Sequence, residues 1–450
     1  MSGKLSRTVL ATYSVPMIGV NFALVLVMVY FPKYSIDVLL IPPATVGLLF
    51  GLARIWDAVS DPFAGYLSDR TSTRFGRRRP WIGASLVPLS LFTWMCWSPP
   101  ASLEGTALVA WMAVSILGFN TAVTVFLVPH QALGAELTSD ARERTGVFGI
   151  RQWAGIVGAA LAMVGGVTAI NSAEDQRAAA TGVALVTIAI LVVTVTLAAV
   201  RLREPEAHRG RGGGSPFASF GDVFRNPHAR VLLAMIFVEH MGSGAVMVAM
   251  PFFVEYVIGD PTGTALGIVF GFYTGTQLLV IPLWVRLARS IGSKRTWLVG
   301  ICVQATGYLT IFSLVGEGDL WLMCGLTCFS AAGNASGTVM GSSMLADVVD
   351  SDDLETGERK EGAYYSGYTL LLKGSSGVMA MAAGGVLTAT GFVPNGVQAA
   401  DTQFAIRALI TLVPAGCVMT GALVLTRYRL TEVEHAEIQE QLARRSRGAP

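Results

Sequence analysis

Residues 54–80 read RIWDAVSDPFAGYLSDRTSTRFGRRRP, and the fold follows from how this stretch sits in its surroundings. It begins inside an apolar segment. Asp57 and Asp61 stand four residues apart, which on a helix puts both carboxylates on one face, with Arg54 three residues before Asp57. The chain then leaves the apolar region through Gly65, Leu67, Ser68, Asp69 and Arg70 and ends in the basic run Arg77, Arg78, Arg79. Two acids and an arginine at lipid depth are costly, so they are candidates for function. A mutually neutralised structural cluster is the plainer reading, but one arginine cannot neutralise two carboxylates.

The rest of the chain supplies the lipid. Of 450 residues, 52% are hydrophobic and 14% charged, where a soluble protein of this length would carry about a quarter charged residues. The mean hydropathy is +0.56. Fifty glycines suit helices that approach closely within a bilayer. A net charge of +2 gives no support to a nucleic-acid partner. All five cysteines (Cys96, Cys302, Cys324, Cys328, Cys417) lie in apolar segments and read as packing residues rather than a disulfide or metal set. No cleavable signal peptide is expected, because the N-terminus runs straight into a span too long for an h-region.

Windows of about 20 apolar residues predict twelve membrane helices. They fall near residues 9–34, 41–68, 80–99, 105–134, 146–170, 178–201, 229–257, 263–288, 296–316, 320–348, 362–390 and 403–426. With the N-terminus inside, 26 of the 32 Lys and Arg fall on the cytoplasmic side, three outside (Lys33, Arg177, Arg407) and three within spans (Arg54, Arg151, Lys373). That asymmetry predicts a multi-pass protein of the cytoplasmic membrane with both termini cytoplasmic. The Gly-, Arg- and Pro-rich loop divides the chain six and six. The expected parts are a first bundle over 1–201, a linker over 202–228, a second bundle over 229–426 and a polar, solvated tail over 427–450. WVRLARSIGSKR at Trp284–Arg295 faintly echoes the opening stretch at the matching place of the second half, as a parallel repeat predicts.

The pattern G-x-L-S-D-R followed by a basic cluster, Gly65 to Arg79, resembles the cytoplasmic signature of the major facilitator superfamily. The preceding R-x-W-D-x-x-S-D-P, Arg54 to Pro62, is similar to the glycoside–pentoside–hexuronide:cation symporter family. Further matches are V-P-x-x-A-L-G-A-E-L-T-x-D at Val128–Asp140, E-R-T at Glu143–Thr145, A-D-V-V-D at Ala346–Asp350, Lys373-Gly374, G-F-V-P-N at Gly391–Asn395 and R-Y-R-L at Arg427–Leu430. They run in order through nearly the whole chain. The resemblance implies an all-α integral membrane protein with twelve transmembrane helices in two pseudo-symmetric bundles. The implied activity is that of a symporter moving a small solute, a sugar or glycoside, with Na⁺ or H⁺ by alternating access. It implies no enzyme activity, no cofactor beyond the coupling ion, and function as a monomer in the lipid bilayer.

Carried over by position, Asp57 and Asp61 are the cation-binding carboxylates and would be the metal ligands if the ion is Na⁺, with Ser60 between them. Hard oxygens suit Na⁺, and a close carboxylate pair also suits a proton. Lys373 falls on the family's helix-eleven lysine and, with Arg54, is the coupling candidate. Arg151 falls on the helix-five arginine beside the substrate cavity, whereas Trp153 points elsewhere on the helix. Asp69, Arg70, Arg77, Arg78, Arg142 and Arg144 are expected to gate the cytoplasmic side. The chain also departs from the family's galactoside-binding members. No acid lies between Thr8 and Ile36, the helix-four aspartate falls on Thr121, and its stacking tryptophan falls on Val125. The family's Na⁺-ligating threonine falls on Gly118, with Asn120 and Thr121 close by, so Thr121 is expected to serve both cation and substrate. Glu239 and His240, midway along the seventh span, are further substrate candidates, or in the case of Glu239 half of a core ion pair with Arg151 or Lys373. The arginine and glutamate also resemble the family's lysophosphatidylcholine symporters, which gives the alternative cargo, a zwitterionic amphiphile such as a lysophospholipid. His130, after Pro129, titrates near neutrality when free, but a lone histidine is more often a satisfied hydrogen-bonding residue.

Overall fold

The computed structural model describes residues 6–138, 141–202, 220–357, 360–430 and 432–446, which excludes most of the predicted linker. Among the described residues every regular element is a helix and no strand forms. Among the described residues nine helical stretches, from Arg7–Asp37 to Ala400–Thr426, are long and apolar enough to cross a membrane. The other three predicted spans fall on the helix Pro43–Arg70, on the pair Arg79–Ala84 and Leu86–Trp97, and on Leu320–Thr356. Pro43–Arg70 misses the apolar criterion while carrying the charged residues that made it conspicuous in the sequence. Large apolar side chains such as Leu279, Val200 and Leu423 are mostly exposed, as a lipid-facing surface requires. Trp153 is among them, as its position on the helix predicts.

Proline sits inside several of these helices. Pro62 interrupts Pro43–Arg70, Pro129 interrupts Gly105–Glu136, and Pro251 and Pro282 lie within later helices. Each lacks the N–H that would close its turn, so a carbonyl four residues back is released; for Pro129 that carbonyl belongs to Val125. Wider π-helical turns occur at Leu26–Tyr30, Leu161–Gly166 and Val254–Ile258. Such turns are often found at functional positions.

The chain packs as two compact units. The first is Met1–Gly214 with Val254–Ile268 and Ala380–Thr402; the second is Ser215–Phe253, Val269–Met379 and Gln403–Pro450. Two contacts hold the short later segments to the first unit. Gly47 and Gly384 meet backbone to backbone, where a Cβ on either would collide with a carbonyl of the facing helix, so only glycine allows the crossing. A buried charge cluster supplies the other. Lys33 Nζ lies 2.8 Å from Asp37 Oδ2 and also pairs with Glu255. The Tyr256 hydroxyl donates to Asp37 Oδ2 over 3.2 Å, and Asn395 Nδ2 donates to the Asp37 carbonyl over 2.8 Å. Lys33 was expected in an exposed outer loop. Instead the helix continues through Phe31–Asp37 and Lys33 is only 6% exposed, because two carboxylates compensate its charge. Phe31 meets Trp97 edge-on and Tyr34 meets it at a tilt, with centroids 4.9 and 5.2 Å from Trp97.

The second unit has its own core of Trp297, Met340, Met344, Leu345 and Tyr364. Lys294 Nζ donates to the carbonyls of Thr426 and Tyr428 at 3.0 and 2.6 Å, satisfying groups left open where Leu412–Thr426 ends. The polar, helix-prone tail forms the helix Glu432–Ser446 with most of its described side chains exposed, and two of them reach Asp350. Gln439 Nε2 donates to Asp350 Oδ2 over 2.6 Å, and His435 Nε2 lies 3.2 Å from the same oxygen.

Candidate functional site

The helix Pro43–Arg70 presents Asp57 and Asp61 toward the helix Gly105–Glu136. Thr124 lies between them, its Oγ1 2.8 Å from Asp57 Oδ1 and 2.9 Å from Asp61 Oδ1. A hydroxyl has one hydrogen and gives it to one carboxylate. The second short oxygen–oxygen contact is favourable when the other carboxyl carries a proton or when a cation sits among the oxygens. Arg54 Nη1 stands 3.8 Å from Asp57 Oδ2, too far for a strong hydrogen bond but close enough to attract it. The three side chains together carry one formal negative charge. Asp57 is buried, so that charge acts through a medium that screens it weakly.

The hydroxyls of Thr121 and Ser60, expected beside the cation, bond to other groups. The Thr121 hydroxyl donates to the Leu117 carbonyl over 2.8 Å and accepts from Trp56 Nε1 at 2.9 Å. Ser60 spends its hydroxyl on the Asp57 carbonyl, 3.2 Å away. Thr124 was missed because positional counting stopped at the residue matching a family aspartate. The signal was available, since Thr121 and Thr124 share a helix face and either could have met the carboxylates.

At the cytoplasmic end the basic run is tied down by acids. Arg78 Nη2 bridges Asp69 Oδ1 at 2.9 Å and Glu136 Oε1 at 2.8 Å, and Arg77 Nη2 reaches the same Glu136 oxygen at 2.6 Å. Arg79 closes the end of Gln176–Arg201 by donating to the carbonyls of Ala199 and Val200. Arg70 lies over the Tyr66 ring, 4.2 Å from its centroid. Glu136 belongs to the quoted Val128–Asp140 motif, but its partner was not legible there. The side chains of Arg142 and Arg144 lie outside the described residues.

Arg151, on the helix Ala141–Ala160, stands beside two rings that sequence reading did not combine with it. Tyr13 and His130 stack in parallel with centroids 4.4 Å apart, and Phe126 covers the other face of the imidazole at 4.9 Å. His130 Nε2 lies 2.8 Å from the Tyr13 carbonyl. Arg151 is within electrostatic reach of both Tyr13 and His130. Within this unit, no carboxylate among the described residues pairs with Arg151.

In the second unit Glu239 is buried, and within that unit no Lys or Arg among the described residues pairs with it. His240 directs Nδ1 to its own helix, 2.9 Å from the Ile236 carbonyl. Lys373 lies half-buried on Glu361–Ala389. Gln277 donates to Asn334 over 2.7 Å and so joins two helices. Val125 is half-buried on the helix that carries Thr124.

Helices long and apolar enough to cross a membrane, with acids and arginines among them, make this a multi-pass membrane protein. The family model described as MFS/sugar transport protein matches residues 12–432. The chain belongs to that family, as its likeness to the glycoside–pentoside–hexuronide symporters implied. It is 27% identical over 441 residues to the isoprimeverose transporter of Lactiplantibacillus pentosus, covering 94% of this chain and 88% of that one. It is 24% identical over 451 residues to the glucuronide carrier protein homolog of Escherichia coli (strain K12), covering 99% and 98%. A bacterial homologue of the human lysosomal transporter Spinster, solved in an inward-facing conformation, superposes with a TM-score of 0.70 at 14% identity, covering 94% of this chain and 98% of that one. The fold is therefore the all-helical transporter fold of the major facilitator superfamily.

Proposed function

We propose that the chain is a symporter that couples downhill entry of Na⁺ or H⁺ to movement of a sugar or glycoside across the cytoplasmic membrane by alternating access, with both termini cytoplasmic. The observation that carries this is the Thr124 hydroxyl within hydrogen-bonding distance of both Asp57 and Asp61. Asp57, Asp61 and Thr124 supply hard, negatively charged and neutral oxygens, a donor set that fits Na⁺ and equally accommodates a shared proton. The ion, when bound, supplies the positive charge that the pair attracts; Arg54 limits how tightly it is held. Coupling then requires that ion and sugar each raise the other's affinity by the same factor. Lys373 modulates this site, and the Asp69–Arg78–Glu136 bridges break and re-form as the two halves of the chain move.

The named relatives are a transporter of isoprimeverose and a carrier of glucuronides, which supports a sugar over a lysophospholipid as cargo. Arg151, Glu239, His240, Thr121 and Val125 are the substrate-side candidates. Uptake of a panel of radiolabelled sugars and of lysophosphatidylcholine into proteoliposomes, under an imposed Na⁺ or H⁺ gradient, tests the reading. Gradient-driven accumulation of a sugar that disappears in Asp57→Cys and Asp61→Cys is expected. Full accumulation by both variants, or uptake of the lysolipid alone, would overturn it.

A further inference from the structure

We propose that a cavity at the cytoplasmic corner of the second unit is a binding site for a phosphate-bearing anion, such as the headgroup of an anionic lipid. The proposal is independent of what the transporter carries.

The cavity has a volume of about 720 Å³, within the range of about 300–1,000 Å³ usual for small-molecule sites. It lies where the helix Thr264–Ile291 ends, Ser293–Leu314 begins and Leu412–Thr426 runs out, with Met344 and Asp347 of Leu320–Thr356 on its wall. The Lys and Arg bias puts these helix ends on the cytoplasmic side. Arg289, Lys294, Arg295 and Arg429 line the cavity against a single acid, Asp347, so its wall carries three positive charges in formal excess. The acid is itself engaged, with His435 Nδ1 of the tail helix 3.5 Å from its Oδ1.

Most of this wall belongs to Trp284–Arg295, the stretch that echoes the basic run of the first half. The two copies differ in what holds them. In the first unit Arg77 and Arg78 share Glu136, Arg78 also reaches Asp69, and Arg79 closes a helix end. Among the described residues of the second unit no carboxylate pairs with Arg289, Arg295 or Arg429, and all three are exposed. Lys294 is bonded, to the carbonyls of Thr426 and Tyr428, which leaves one of its three hydrogens over. Arginines scattered over a surface need only water. Here a turn gathers them: Gly292, at a φ of 88°, lets one helix stop and the next begin at once, so that residues on both sides of it face the same space.

The planar fork of arginine fits two oxygens of a phosphate, and such charge-assisted bonds are stronger than neutral ones. Basic pockets between membrane helices at the cytoplasmic face are also where anionic headgroups bind. The approach from the bilayer is apolar. Leu279 and Leu283, 81% and 59% exposed, lie on the membrane side of Arg289 along the same helix, so the acyl chains and the headgroup of one lipid have separate places.

The test uses the full-length transporter in a neutral detergent. Native mass spectrometry reads retention of dioleoylphosphatidylglycerol against dioleoylphosphatidylcholine, and thermal unfolding reads inorganic phosphate against chloride at equal ionic strength. A lipid occupant predicts retention of the glycerol lipid about tenfold or more over the choline lipid, whereas a free-anion occupant predicts a rise in unfolding temperature with phosphate alone. Arg289→Gln and Arg429→Gln should each lower the affinity about tenfold, the worth of one charge-assisted bond. Arg444→Gln removes the same charge from the exposed tail and should leave the affinity within about twofold. Equal losses in all three variants would mean attraction to overall charge and overturn the proposal, as would an undiminished preference in Arg289→Gln and Arg429→Gln. No preference for either anion in the unaltered protein also overturns it, a result that depends on no variant folding.

Discussion

Two sites in the first unit gather side chains of opposite sign. Around Thr124, two carboxylates and one arginine leave a formal negative charge with hard oxygens converging on it. Around Tyr13 and His130, an arginine stands among buried rings and meets no acid within its unit among the described residues. Both lie where lipid makes charge costly, so each is a conspicuous place for function. Holding both on one unit places them where a ligand at one can change the affinity of the other.

The most severe way to break the comparison is to remove the negative site. Asp57→Cys and Asp61→Cys should each reduce gradient-driven uptake by about a hundredfold or more, read as initial rates in proteoliposomes, since either change removes a direct ligand and the excess charge. Exchange of bound sugar without a gradient should survive better. Next in size is the structural lock that bounds the same unit. Lys33→Met leaves Asp37 and Glu255 buried without their counter-ion and should cost about 3–5 kcal/mol, seen as a marked fall in thermal unfolding temperature in detergent. If stability is unchanged, the cluster is solvated and its burial carries no weight.

Thr124→Ala sharpens the comparison by separating geometry from charge. Loss of one uncharged ligand should weaken cation activation of uptake by about tenfold, while Thr121→Ala should change it by no more than about twofold. The reverse ranking would return the cation role to Thr121. The smallest effect is expected for Ser60→Ala, whose hydroxyl bonds only to its own helix at Asp57. Cation dependence within about twofold of normal is expected there, because exposed or local hydroxyl bonds contribute little.

Much of this was legible without coordinates. Arg54, Asp57 and Asp61 announced themselves by lying in an apolar segment, since charge in lipid is rare enough to stand out against its background. The helices followed from apolar length and the topology from the Lys and Arg bias. Thr124, Tyr13 and Glu136 were not legible as site members. Threonine and tyrosine are ordinary in membrane helices, and their roles depend on which face of another helix they meet. Lys33 shows the same limit in reverse: one charge beside a predicted outer loop reads as solvated until Glu255, more than two hundred residues later, is found against it.

What the order of residues determined by itself is the class of environment: which segments enter lipid, and which charges that lipid makes conspicuous. Tertiary packing alone decided which polar atoms meet and which remain open, because hydrogen bonds between helices depend on rotation and register that no single helix encodes. That is why the two carboxylates were visible at once, while the threonine between them and the rings beside Arg151 were not.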